Sequence, residues 1–330
     1  MDPFQPKDVL YREPQIHYDA IFGVMGAALR FQTNSAHVFT LAVEAFARFG
    51  PPTREEPVLQ MRLFTHPTEV PLPGHMWPLI TRAQYDYYYV SWGPGCTLVA
   101  DLNRGYLFGY ITPDILQWPH LVREAFLLGP VLYTLSRHQY IPLQAAVLLW
   151  RRRYPLYLVT HAPTHLGLLL YQAVRSRWRV VAERHVMAVR TSRGYHFWGV
   201  PWWLHLPCEA TRAFPELDTS LASPLPDGSW QLILDVEDAW PGSTEPHAGP
   251  GPLVYVAPTS GAPDFDWMDA GELLDLVSFI NPSEPTWLQE HVSDVVVYLA
   301  EQGTYWLRVS DHWATSLQCL DNLANRHWRT

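Results

Sequence analysis

Three histidines stand where chemistry could be done. His161 and His165 lie four residues apart in LYLVTHAPTHLGLLLYQAV, which runs from Leu156 to Val174, and His185 follows on the next apolar segment. Imidazoles at that spacing with a third donor nearby can hold zinc. Pro163 argues against one regular helix presenting the first two, and the glutamate of an H-E-x-x-H pair is missing. Fifteen histidines make chance neighbours common, so loop histidines bonded to backbone or water are the favoured reading, with no metal expected. Cys208 has His205 near it in HLPCEA, but no G-x-S-x-G occurs and a buried structural thiol is the better reading. The same stretch poses a second question. An apolar run, a polar turn and an apolar helical run outline a strand, a phosphate-binding loop and a helix, yet few residues that bind phosphate are present.

The elements that must position these residues follow from hydrophobic period and turn residues. A strand is expected near Ile16–Met25 and a helix near Ser35–Phe49, with Ser35 as N-cap and Val38, Leu41, Ala42, Ala45 and Phe49 as its apolar face. Residues 57–115 read as β structure, with Asn103-Arg104-Gly105 as a hairpin turn. A helix over about Pro119–Gln139 carries Pro130, which should kink or break it. Strands are expected at Leu143–Trp150 and Tyr154–Thr160 around the Arg151-Arg152-Arg153 tip, then a helix at about Gly167–Arg177. Short strands fill RVVAERHVMAVRTSRGYHFWGV, and residues 228–257 read as β-rich. Helices at Ala270–Phe279, Trp287–Gln302 and Trp313–Asn325 enclose a strand at Thr304–Val309.

The chain has 330 residues, 48% hydrophobic and 17% charged, enough for a large core. Its net charge is −9 and no basic run exceeds three arginines, which disfavours nucleic acid. Cys96, Cys208 and Cys319 are far apart and suit reduced, buried thiols. No signal-like start and no apolar run of about twenty residues occur, so a cytoplasmic chain without a membrane span is expected. Lysine occurs once, at Lys7, which excludes lysine chemistry from the middle of the chain. Aromatic clusters at YDYYYVSW and FWGVPWW read first as packing. Their rival reading is a protein- or peptide-binding face that includes Trp198, Trp202 and Trp203.

In order and spacing, residues 100–330 resemble the HPr kinase/phosphatase-related serine kinases. The resemblance rests on ADLNRGYLFGYI at 100–111, IPLQAAVL at 141–148, LVTHAPTHLGLLL at 158–170, RVVAERHVMAV at 179–189, GVPWWLHL at 199–206 and FPEL at 214–217. It implies an α/β fold in which an N-terminal β-rich lobe, residues 1–115, precedes a P-loop core like that of PEP carboxykinase and HPr kinase, residues 116–330. A working loop of this type, G-x-x-x-x-G-K-[ST], turns backbone N–H groups to phosphate, places Lys on the β/γ oxygens and holds Mg²⁺ with the hydroxyl. Laid on this chain, its first glycine is Ala162 and its second is Gly167. The Lys position is Leu168 and the hydroxyl position is Leu169. The family's paired acids correspond to Glu183 and Arg184, and its histidine to Gln144.

Four losses at one site argue against Mg-dependent phosphoryl transfer, because each removed clamp or ligand costs several kcal/mol of transition-state stabilisation. No catalytic residue and no cofactor are expected. The resemblance implies an inactive, kinase-like protein that binds a protein or peptide, such as a co-encoded one, or further copies of itself. Two alternatives stay open. One is an enzyme with a repurposed, metal-dependent site through His161, His165, Glu183 and His185. The other is a purely structural subunit.

Overall fold

The computed structural model describes residues 14–53, 58–66, 77–224, 230–280 and 286–328. It is an α/β protein. Its described residues form two compact units, which divide between Arg137 and His138.

The first unit is built on a seven-stranded mixed sheet. In spatial order its strands are Tyr18–Val24, Ala27–Thr33, Leu59–Thr65, Tyr106–Ile111, Cys96–Asp101, Tyr87–Trp92 and Leu79–Gln84. Where one strand was expected near Ile16–Met25 there is a hairpin. Met25 and Gly26 both take positive φ, 53° and 85°, and Tyr18–Val24 pairs antiparallel with Ala27–Thr33. Two-residue hairpin turns favour this geometry, but Asn or Asp normally announces it. The helix Ala36–Phe46 follows, with the Ser35 hydroxyl accepting from the Val38 N–H, and it buries Val38, Leu41, Ala42 and Ala45 as its period requires. The helical run after residue 115 packs with this unit. It widens to a π-helix over Val122–Leu128, one residue short of Pro130, and the Gly129 N–H reaches back to the Glu124 carbonyl. A proline removes one backbone donor, and the wider turn accommodates that loss.

The second unit has a six-stranded sheet in the order Arg179–Ala182, Ala146–Trp150, Tyr154–Val159, Leu253–Pro258, Thr304–Val309, Asp264–Trp267. The three middle strands from Tyr154–Val159 to Thr304–Val309 are parallel. Their residues alternate between two cores, as period-two strands buried on both faces must. Leu156, Leu158, Val254 and Val256 face one core with the helices Pro163–Arg175 and Trp313–Trp328. Tyr157, Val159, Leu253 and Tyr255 face the other. That second core also takes residues of the helices Ala270–Ile280 and Thr286–Ala300 and of a four-stranded sheet.

Two sequence expectations change here. The single strand at Leu143–Trp150 is two strands in different sheets. Tyr140–Leu143 pairs with Val186–Thr191, and Ala146–Trp150 pairs with Tyr154–Val159. The chain turns sharply at Gln144, where the Ala145 N–H bonds the Leu143 carbonyl at 3.0 Å. The helix expected from Gly167 begins at Pro163, four residues earlier, with proline at a position where a missing N–H costs nothing. The arginine tip is a hairpin turn, with Arg151 and Arg152 at φ 51° and 62°.

Candidate functional site

The C-terminal end of the strand Tyr154–Val159 is held by one side chain. Thr160 Oγ1 donates to the Val256 carbonyl at 2.6 Å and accepts the Ala162 N–H at 2.9 Å. This pins the loop to the neighbouring parallel strand. Ala162 is the N-cap and has no side chain to offer, so Thr160 closes the turn in its place. Only two residues separate Thr160 from the helix, which leaves no room for a phosphate-wrapping loop of glycine amides.

The helix that follows explains the aliphatic run. Leu168 and Leu169 are 9% and 0% exposed and belong to the core under the sheet. Gly167 lies against the strand Trp203–Pro207. A Cβ there would come within 3.3 Å of the His205 carbonyl and 3.5 Å of Leu206 Cδ2. Close helix–strand packing therefore accounts for this glycine without a phosphate.

Beside this helix is a cavity of about 390 Å³. Ala145, Ala146, Leu158, Leu166, Leu170 and Pro207 make its apolar walls. Gln144, Thr160, Thr164, Glu183, Arg184, His185, His205 and Gln231 supply polar groups. Such a cavity lies where ligands bind in open α/β sheets, outside the carboxyl ends of the strands.

Its most ordered feature is a pair that sequence reading did not join. Glu183 Oε1 accepts the His205 backbone N–H at 2.8 Å, and Oε2 lies 2.6 Å from His205 Nδ1. Both side chains are 8% exposed. A carboxylate at Nδ1 fixes the ring's orientation and tautomer. Arg184, 46% exposed, lies farther off, with Nε 3.7 Å from Glu183 Oε2. The two residues of the pair are 22 positions apart, Glu183 in the bend after the strand Arg179–Ala182 and His205 within the strand Trp203–Pro207. Only the alternation in WWLHL, which places His205 between buried Leu204 and Leu206, hinted that its ring sits among strands.

The expected site residues divide. Gln144, Gly167, Glu183, Arg184 and His185 line the cavity, whereas Ala162, Leu168, Leu169, His161 and His165 do not. The exposed His161 bonds the Tyr255 hydroxyl through Nδ1 at 2.7 Å, and burial pushes that phenol's pKa up. His165 packs its ring 6.1 Å from that of Trp313. His161 and His165 are thus directed to different neighbours, while His185 lines the cavity. Among the described residues, no three His, Cys, Asp or Glu side chains gather closely enough to hold a metal ion. Trp202 and Trp203, read first as packing with a binding face as the rival, are 3% and 6% exposed and belong to the interior. Apolar burial of large rings outweighs display wherever a strand turns them inward. Trp198 is half-buried between the rings of His196 and His247, each centred 5.5 Å away. Of the arginines that follow the loop, Arg175 pairs with Glu216 and Arg179 with Glu245. Lys7 lies outside the described residues.

No family model matches the chain, and no curated protein matches it in sequence. Among solved structures it is similar to the Hpr(Ser) kinase/phosphatase from Coxiella burnetii, with 6% identity and a TM-score of 0.32 over 57% of this chain and 96% of that one. A likeness at that score carries no argument about the site. No described helix is long and apolar enough to cross a membrane.

Proposed function

We propose that this chain is a catalytically inactive, HPr kinase-like binding protein, with a degenerate P-loop core in its second unit and a protein or peptide as its ligand. The observation that carries the reading is the helix starting at Pro163 with Leu168 and Leu169 turned into the core. The positions that would meet phosphate and Mg²⁺ hold up the sheet instead. The cavity beside them retains a few directed polar groups over an apolar floor, which suits recognition more than phosphoryl transfer. A cytoplasmic location and assembly with co-encoded partners or further copies belong to the same proposal. Calorimetry with Mg-ATP and a phosphate-transfer assay on co-encoded proteins test it. No heat of binding and no transfer are expected, with capture of a co-encoded partner. Tight Mg-ATP binding with turnover overturns it.

A second reading, an enzyme with a repurposed pocket, is favoured by one observation. The Glu183–His205 pair lines the cavity and has the arrangement of an oriented acid–base group. Metal analysis of the purified protein and a survey of hydrolytic activities with His205→Gln as control separate the two readings.

A further inference from the structure

We propose that the cavity beside the helix Pro163–Arg175 takes a carboxylate ligand with an apolar body, and that Arg184 is the residue that holds its charge. The proposal rests on the reading of this cavity as a recognition site and names the chemistry it recognises.

Charge decides the sign of the ligand. Glu183 is the only carboxylate among the residues lining the cavity, and His205 engages both its oxygens, at 2.8 and 2.6 Å. Its charge is therefore committed to the wall. Arg184 carries five N–H donors, and its contact with Glu183 is a single long one, 3.7 Å from Nε. Arg184 lines the cavity with nearly half its side chain exposed, which leaves its guanidinium donors to spare. Its planar geometry matches a carboxylate in bidentate fashion.

The shape of the remaining wall decides the body. Ala145, Ala146, Leu158 and Leu170 form an apolar surface, and about 390 Å³ falls in the range of small-ligand sites. A phosphate group fits less well, because neither a lysine nor a glycine-rich turn of amides faces the cavity. Gln231 adds a further demand. Its Oε1 is buried without a hydrogen-bond partner in the structure, and the residue lines the same cavity. A donor from the ligand would satisfy it. A peptide ending in a carboxylate brings backbone N–H groups, whereas a simple organic acid brings none.

Titration calorimetry on the full chain tests this with four probes: 3-phenylpropionate, the tripeptide acetyl-Ala-Leu-Ala as free acid, the same tripeptide as C-terminal amide, and inorganic phosphate. The two acids are expected to bind, the peptide acid more tightly, while the amide and phosphate give no heat. Arg184→Gln is expected to weaken the peptide acid at least tenfold. Arg153→Gln, at the distant hairpin tip, leaves binding unchanged, and circular dichroism checks that both variants fold. Equal binding of acid and amide, binding of phosphate alone, or undiminished binding to Arg184→Gln overturns the proposal. Binding of the acids without capture of any protein partner supports the carboxylate site and counts against the assembly role alone, so the two failures are distinguishable.

Discussion

Glu183 holds His205 twice, through the backbone N–H at 2.8 Å and through Nδ1 at 2.6 Å, with both side chains nearly inaccessible to solvent. One contact ties the strand Trp203–Pro207 to the bend that follows the strand Arg179–Ala182. The other fixes the ring at the cavity wall.

Breaking this pair on one side strips a buried polar group of its shortest side-chain contact, the one at 2.6 Å. Glu183→Ala is expected to cost about 3 kcal/mol, since removing one member of a buried, hydrogen-bonded pair is more expensive than removing both. The double variant Glu183→Ala/His205→Ala should cost clearly less than the sum of the two single variants. Urea denaturation of the four proteins measures the coupling. Strict additivity would show that the pair contributes nothing jointly.

Thr160 is the second point where a small change should be felt. Thr160→Val keeps the shape and removes two bonds, one given to the Val256 carbonyl and one taken from the Ala162 N–H. Two neutral hydrogen bonds at a half-buried site amount to about 2 kcal/mol. The expected result is a lowered urea midpoint. Faster amide exchange at Ala162 and in the first turn of the helix should accompany it.

The turn at Arg151-Arg152 stores strain that can be relieved. Both residues sit at positive φ, where a β-carbon is unfavourable. Arg151 is partly compensated because its guanidinium lies 4.1 Å from the centre of the Trp150 ring. Arg152→Gly keeps that contact and should stabilise the chain by roughly 0.5 kcal/mol. A raised melting temperature in calorimetry is the expected outcome, and a fall would contradict it.

Acid sensitivity should trace to two histidines. Burial lowers the pKa of His327, whose Nδ1 lies 3.0 Å from the Tyr305 hydroxyl. Burial and the nearby His247 lower that of His196. Each favours its neutral form more in the folded chain than in the unfolded chain, which protonates near 6.5. Their contribution is complete above that value and is lost as pH falls through the depressed folded values. The urea midpoint should therefore drop between pH 7.5 and 5.5, and less so for His327→Asn. A flat profile in both proteins would refute the assignment.

Local signals carried much of the element map. The strand Thr304–Val309 and the helix after Ser35 follow from alternation, period and capping, which operate within a few residues. The hairpin at Met25-Gly26 is not legible in the sequence because its turn lacks the usual Asn or Asp. The helix start at Pro163 is hidden in the sequence because the polar letters THAPTH read as a loop, while Thr160 supplies the missing cap from outside the helix.

The sequence by itself determined an α/β chain with one lysine, and with leucines where a phosphate loop would place its lysine and hydroxyl. Those are facts of composition and order, and no folding can alter them. The tertiary structure alone decided that His205, and none of His161, His165 and His185, is the partner of Glu183. It also decided that Trp202 and Trp203 face inward and that one apolar run serves two sheets. The physical reason is range. Period and capping act over one turn or one strand, whereas a contact between side chains 22 residues apart is set by which apolar faces find each other to bury.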